Sequence, residues 1–281
     1  MTLVHTIADL RHTVGEARRG GAKIGFVPTM GALHEGHGAL IRQARIECGF
    51  VVVSVFVNPI QFDRQDDYER YPRTLATDAE FCRANGAAVV FAPSADEMYG
   101  VPQLTFVEVS GLSDSLCGEF RPGHFRGVAT VVNKLFNIVQ PDSAYFGEKD
   151  AQQLAVIRRM VDDLNMPVGV VPVATVREAD GLAMSSRNRR LSPEERRAAP
   201  ALYQALLAAR SAIQRGGIEP AAVKDAALAV LLGFPQLRVE YLEIVDDATQ
   251  QPVERIDGPV RVSLAAWLGQ TRLIDNIFAV R

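Results

Sequence analysis

Five short segments of this 281-residue chain gather side chains whose types and spacing suit chemistry. The first is Pro28-Thr29-Met30-Gly31-Ala32-Leu33-His34-Glu35-Gly36-His37, directly after the apolar run Ile24–Val27. Small residues at Gly31, Ala32 and Gly36 let a ligand approach the main chain. A helix opening there offers unpaired N–H groups and a positive dipole end to phosphate. His34 and His37 are three residues apart, so both rings can face one side and donate to phosphoryl oxygens. Such donors stabilise charge on a transferring phosphoryl group and on departing pyrophosphate. Zinc is disfavoured, because the metalloprotease helix needs its second histidine at i+4 and position 38 is glycine.

The second segment, Phe56-Val57-Asn58-Pro59-Ile60-Gln61-Phe62, brings the neutral amides of Asn58 and Gln61 to a strand terminus. They can orient hydroxyls and a carboxylate without adding charge, although composition alone fits a plain turn equally well. In the third, Arg121-Pro122-Gly123-His124-Phe125-Arg126-Gly127-Val128, an Arg/His-rich loop opens a helix. It suits an anion site or a clamp between loops. The fourth is Phe146-Gly147-Glu148-Lys149-Asp150, before Ala151-Gln152-Gln153. Gly147 permits close approach, Lys149 supplies a point charge for phosphate, and Asp150 can bind a ribose hydroxyl or cap the helix. Gln153 follows on the same helix face, within reach of a second substrate. The last, Arg177 to Asn188, contains Met184-Ser185-Ser186-Arg187, where two hydroxyls and a guanidinium form a compact oxyanion grip.

The elements that must position these groups follow from hydrophobic spacing. Helices are expected at Ile7–Ala17, Gly36–Ile46, Thr77–Asn85, Val128–Ile138 and Ala151–Leu164. Buried strands are expected at Ile24–Val27, Val51–Val57, Val89–Ala92, Ser143–Phe146 and Val168–Val173. This alternation implies an α/β fold: a Rossmann-like, doubly wound, mostly parallel sheet with right-handed crossovers. Such sheets bind ligands beyond the carboxyl ends of their strands, which places chemistry just after Val27, Val57, Phe146 and Val173. After about Thr175 the rhythm changes to helices Pro193–Gln214 and Glu219–Leu232, then strands Arg238–Val245, Val260–Leu264 and Leu273–Val280. The expected organisation is a catalytic domain, residues 1–175, and a smaller α+β C-terminal lid, residues 176–281.

Bulk properties exclude several classes. A net charge of −3 and the lack of any five-residue basic cluster leave no nucleic-acid footprint. The arginines 187, 189, 190, 196 and 197 are interrupted by Glu194 and Glu195 and read mostly as a solvated helix start. Cys48, Cys82 and Cys117 form no CxxC pair, which fits free thiols in a reducing compartment. The N-terminus has no uninterrupted apolar core and does not read as a signal peptide. No stretch approaches the roughly 18 apolar residues of a membrane helix. A cytoplasmic location is expected.

His34-Glu35-Gly36-His37 resembles the HxGH signature with which nucleotidyltransferases and class I aminoacyl-tRNA synthetases hold ATP. In its fuller context, PTMGALHEGH is similar to the version found in pantothenate synthetases. FVNPIQF, RPGHFRGV, FGEKDAQQ and MSSRN match that family's segments in order, and the closing stretches Ala265–Gly269 and Arg272–Asn276 extend the resemblance. The resemblance implies ATP-dependent joining of (R)-pantoate to β-alanine through a pantoyl-adenylate, releasing pyrophosphate and AMP. It implies catalytic roles for His34, His37, Lys149 and Arg187. ATP contacts would come from Met30, Gly31, Ala32, Leu33, His34, Glu35, Gly36 and His37, from Gly147, Glu148, Lys149 and Asp150, and from Val176, Met184, Ser185, Ser186 and Arg187. Asn58, Gln61 and Gln153 would contact pantoate, Gln61 also β-alanine, and Arg121 the β-alanine carboxylate. Some members place a magnesium ligand at the position of Asp78, though Thr77 and Phe81 depart from their neighbouring acidic and amide residues. Mg2+ is therefore expected mainly on ATP phosphates. The family also implies a homodimer, no tightly bound organic cofactor, and an MSSRN loop resembling the mobile KMSKS-type loop that closes on ATP. The alternative is another HxGH adenylyltransferase, acting on a nucleotide or phosphopantetheine.

Overall fold

Ile24 and Phe26 point to one side of a strand and Gly25 and Val27 to the other, and all are buried. A strand covered on both faces belongs in the middle of a parallel sheet. The computed structural model, which describes residues 1–281, builds that sheet from elements alternating along the chain. They begin β1 (Thr2–Val4), α1 (Ile7–Arg19), β2 (Lys23–Thr29), α2 (Glu35–Cys48) and β3 (Gly49–Val55). Next come the short α3 (Gln65–Glu69), α4 (Leu75–Ala84), β4 (Val89–Phe91), and the short α5 (Ala95–Tyr99) and α6 (Cys117–Phe120). The unit closes with α7 (His124–Val139), β5 (Ser143–Gly147), α8 (Ala151–Asp163) and β6 (Gly169–Val173).

All strand pairs in this sheet are parallel, in the order β1-β4-β3-β2-β5-β6. Helices α1, α7 and α8 bury Leu10, Val14, Val128, Val132, Leu154 and Ile157 against one face. Helices α2 and α4 bury Leu40, Ile41, Ala44 and Cys82 against the other. Strand β2 has β3 on one side and β5 on the other. The chain fills one half of the sheet before crossing to β5, so the winding reverses at the β2/β5 pair. A crevice opens beyond the carboxyl ends of those two strands.

A second core runs from Leu182 to Ala279 and shares no residue with the first. It comprises α9 (Pro193–Ala198), α10 (Ala201–Gln214), α11 (Pro220–Leu231) and the antiparallel strands β7 (Leu237–Asp246), β8 (Val260–Leu268) and β9 (Thr271–Ala279). The fold class expected from the sequence is the one observed. Two details differ. The single helix expected over Pro193–Gln214 is divided at Ala199–Pro200, where both residues keep right-handed helical angles but Pro200 has no N–H to continue the hydrogen-bond ladder. Strand β1 carries too few residues for a readable alternation and shows itself only by pairing with β4.

Candidate active site

The rings of His34 and His37 stand at the mouth of the crevice, with centroids 4.1 Å apart. His34 is the N-cap of α2, and its Nδ1 accepts the Gly36 N–H at 3.2 Å. His37 Nδ1 accepts the His34 N–H at 3.3 Å. Each ring therefore uses Nδ1 as an acceptor and, when neutral, carries its proton on Nε2, which remains as a donor. Burial, aided by the positive charge of Lys149, pushes His34 down to about 4. Burial, with His34 and Lys149 adding to it, pushes His37 down to about 3. Both rings are thus uncharged donors at neutral pH. A Cβ on Gly36 would lie 2.9 Å from two atoms of the His34 ring, so this cap requires glycine.

Asp78, considered above as a magnesium ligand, is engaged by the chain itself. Its buried carboxylate accepts the Ala32 N–H at 3.0 Å, the Leu33 N–H at 2.8 Å and the Thr74 hydroxyl at 3.0 Å. It braces the left-handed turn at Gly31 (φ 83°) and Ala32 (φ 52°) from below. No cluster of three His, Cys, Asp or Glu side chains is arranged to hold a metal, and the residues present do not form a magnesium cage. The same bonds narrow the supply of free amides for phosphate. The N–H groups of Gly31, Ala32, Leu33, His34 and Gly36 are engaged within the chain, and that of Glu35 at the helix start is not.

At the end of β3 the buried Asn58 and Gln61 form a connected corner. Asn58 donates to Gln61 Oε1 at 2.9 Å and to the Gly127 carbonyl at 3.2 Å, and accepts from the Tyr99 hydroxyl at 2.8 Å. Gln61 Nε2 is left facing Met30 Sδ at 3.2 Å. Asn58 is therefore fully occupied in orienting Gln61. The Gln61 carbonyl accepts His124 Nδ1–H at 2.8 Å, and Arg121 Nη1–H donates to His124 Nε2 at 3.3 Å. Burial, assisted by Arg121, pushes His124 down to about 4 and keeps that relay neutral. Arg121 is also paired with Asp63 at 3.0 Å. The Arg121–Val128 segment thus clamps the Gln61 turn.

The two histidines, Asn58 and Gln61 line one cavity of about 220 Å3, while Arg121 and His124 line a neighbouring one. The wall of the first includes Met30, His34, Gly36, His37, Asn58, Gln61, Gly147, Lys149, Asp150, Gln153, Val176, Met184, Ser185, Ser186 and Arg187. Phe56, Val128, Val131, Val132 and Leu135 make an apolar side. Lys149 enters no ion pair, while Arg187 lies 3.7 Å from Asp67 of α3, which Arg190 also meets at 3.3 Å. A second cavity of about 300 Å3 lies between the two sheet units and shares Lys149, Asp150, Gln153, Ser185 and Arg187 with the first. Several expected contacts lie elsewhere. Glu35 faces solvent and pairs with Arg42, Gly31, Ala32 and Leu33 are buried beneath the turn, and Glu148 lines neither cavity.

A family model described as Pantoate-beta-alanine ligase matches residues 2–278. The chain belongs to the pantoate–β-alanine ligase family. Among similar proteins, the pantothenate synthetase of Moorella thermoacetica is 52% identical, covering 99% of this chain and 98% of that one. The pantothenate synthetase of Thermotoga neapolitana is also 52% identical, over 98% of this chain and 99% of that one. The crystal structure of pantothenate synthetase from Thermus thermophilus is 50% identical with a TM-score of 0.93, covering 99% of both chains. That of the Francisella tularensis pantoate–β-alanine ligase, complexed with β-γ ATP and β-alanine, is 32% identical with a TM-score of 0.81, covering 99% of this chain and 97% of that one. Family membership makes the protein a ligase of pantothenate biosynthesis.

Within this pantoate–β-alanine ligase fold, sequence reasoning missed Tyr99, Asp67 and the apolar wall from α7. Tyr99 carries no local signal, since it meets Asn58 across 41 positions. The α7 valines are visible in sequence only as a core-facing stripe, and the stripe is wide enough to serve both core and cavity.

Proposed function

We propose that this chain condenses (R)-pantoate with β-alanine by way of a pantoyl-adenylate. The observation that carries the reading is the make-up of the inner cavity. One wall gathers His34, His37, Lys149 and Arg187 with the amides of Gln61 and Gln153 and an apolar patch. The donors and cations suit a triphosphate. The amides and apolar patch suit a small hydroxy acid bearing two methyl groups, whose carboxylate must stay nucleophilic beside uncharged amides. The pantoate carboxylate oxygen attacks the α-phosphorus of ATP, and the bond to the bridging oxygen breaks as pyrophosphate leaves. Nε2–H groups of His34 and His37, with Lys149 and Arg187, would stabilise the charge that moves onto those oxygens. The β-alanine amine then attacks the acyl carbonyl, loses a proton and expels AMP. Gln61 would lie close to that amine.

Magnesium would arrive on the ATP phosphates as part of the co-substrate. Val176, Met184, Gly147 and Asp150 would contact the nucleoside, with Ser185 and Ser186 on the phosphates. Residues 176–281 would act as a lid over residues 1–175, an arrangement supported by their separate cores. Exposed Val101 and Leu104 offer apolar surface for the homodimer expected of the family. No helix is long and apolar enough to cross a membrane, and we place the enzyme in the cytoplasm.

The deciding experiment supplies ATP, pantoate and β-alanine and measures AMP. Release of AMP that requires both pantoate and β-alanine is expected. Equal AMP without pantoate, or transfer of AMP to a nucleotide or phosphopantetheine, would overturn the assignment.

A further inference from the structure

Asn276 belongs to the antiparallel sheet, yet its side chain ends in the parallel-sheet unit. Its Nδ2 donates to the carbonyl oxygens of Glu148 at 2.9 Å and Lys149 at 2.8 Å. Its Oδ1 accepts from Arg261 Nη1 at 2.7 Å, and Arg261 is itself held by Asp247 at 2.7 Å. A guanidinium can only donate, so this pair fixes the amide orientation and turns both N–H groups toward the two carbonyls. The residue before it is equally constrained. Asp275 receives two bonds from Arg177, at 2.6 and 3.0 Å, and accepts the Asn276 N–H at 2.8 Å. Asn276 is buried, at 7% exposure, so its amide has no water to compete with these partners.

The two carbonyls it holds belong to the turn that raises Lys149 into the wall between the cavities. The Lys149 ammonium has no protein counter-ion, and none of the chain's arginine–carboxylate pairs nearby includes it. Its location is therefore set from the main-chain side. We propose that Asn276 is a positioning residue for adenylate formation, one that fixes the Lys149 turn from the C-terminal sheet. The proposal rests on Lys149 meeting phosphate, as argued above. It makes the Lys149 turn a point where the two units move together, so closure of the lid cannot leave the lysine behind.

The test uses the full-length enzyme and two readouts. Pantoate-dependent exchange of labelled pyrophosphate into ATP follows the first half-reaction, and amide hydrogen exchange of the segment 147–153 reports the turn directly. Displacing a reacting group by about 1 Å can cost about 100-fold in rate. Asn276→Ala should therefore lower kcat for pyrophosphate exchange about 10- to 100-fold and quicken amide exchange in 147–153, leaving KM for β-alanine unchanged. Asn276→Asp sets a carboxylate against two carbonyl oxygens and should fall at least as far. In a Lys149→Ala background, Asn276→Ala should cause no further loss, because the two act as one unit. Unchanged amide exchange in 147–153 with wild-type kcat, or a full additional loss in the double variant, would overturn the proposal. No pyrophosphate exchange in the wild-type enzyme would instead count against the functional reading, and the amide-exchange result would still judge the turn.

Discussion

At the residue scale, His34 and His37 combine two tasks that are usually separate. Each Nδ1 secures the start of α2, and each Nε2–H is left for the ligand. Loss of one such preorganised donor typically costs about 100- to 1000-fold in rate. His34→Ala and His37→Ala should each slow pyrophosphate release on that order, checked by single-turnover kinetics. The neutral state has a further signature. Long-range 1H–15N spectra should show both rings uncharged at pH 5.5, since their values lie near 4 and 3. A cationic pattern appearing for either ring near pH 6.5 would contradict the assignment. The same shift ties stability to pH with a definite sign. Unfolded histidines take up protons near pH ~6.5 while the folded rings resist, so stability falls as pH drops from there toward the folded values. Urea midpoints between pH 7 and 4.5 should record that fall, less steeply in a His34→Gln variant. The spacing of these residues and their strand-to-helix setting were legible in the sequence. Their tautomer was not, because it depends on which backbone N–H each Nδ1 meets.

Among the elements, α7 approaches the Pro59–Gln61 turn with no room for a side chain between them. A Cβ at Gly127 would sit 2.3 Å from the Ile60 carbonyl oxygen and 2.6 Å from Gln61 Cα. Both are main-chain atoms that cannot swing aside. Gly127→Ala should destabilise the fold by about 1–3 kcal/mol, as overpacking does. It should also raise KM for pantoate more than KM for ATP; an equal rise in both would argue against this geometry. Strand and helix periodicity revealed the long elements but not β1, α3, α5 or α6, because a two-sided parallel sheet demands continuous apolar strands and short elements carry too few residues for a period. What periodicity could not show is which loop braces which. Asp78 resembles a metal ligand on position alone, yet it lies under the Gly31–Ala32 turn through contacts spanning 45 and 46 positions. Asn58 likewise reads as a substrate contact; it lines the cavity, and only its bonds to Gln61, Gly127 and Tyr99 show that it also braces Gln61.

For the whole molecule, the buried pair of Arg177 with Asp275 joins the chain leaving β6 to strand β9. Arg177 also stacks 3.7 Å over the Tyr203 ring. Breaking a buried pair by removing one partner typically costs about 3–5 kcal/mol, because the remaining charge stays desolvated. Arg177→Ala should lose stability on that scale in denaturant titrations, and a change below about 1 kcal/mol, the worth of a surface pair, would show the pair to be solvated. The change of rhythm near Thr175 made the existence of a second unit legible. The way it grips the first was not, since the segments holding Arg177, Asp275 and Asn276 suggest no role for these three, which meet only through the folded chain.

Lys149 and Gln153 stand in a partition common to two chambers. An activated acid made in the inner chamber would be met beside Gln61 by an amine admitted from the outer one, with no need to unseal the room. Such a layout favours retention over speed of exchange. A reactive mixed anhydride kept behind a shared wall escapes hydrolysis unless the wall is breached. The expected sign is economy of ATP: AMP liberated with pantoate but without amine should be a small fraction of that formed with amine present. Gln153→Ala, which thins the partition, should raise that wasted fraction.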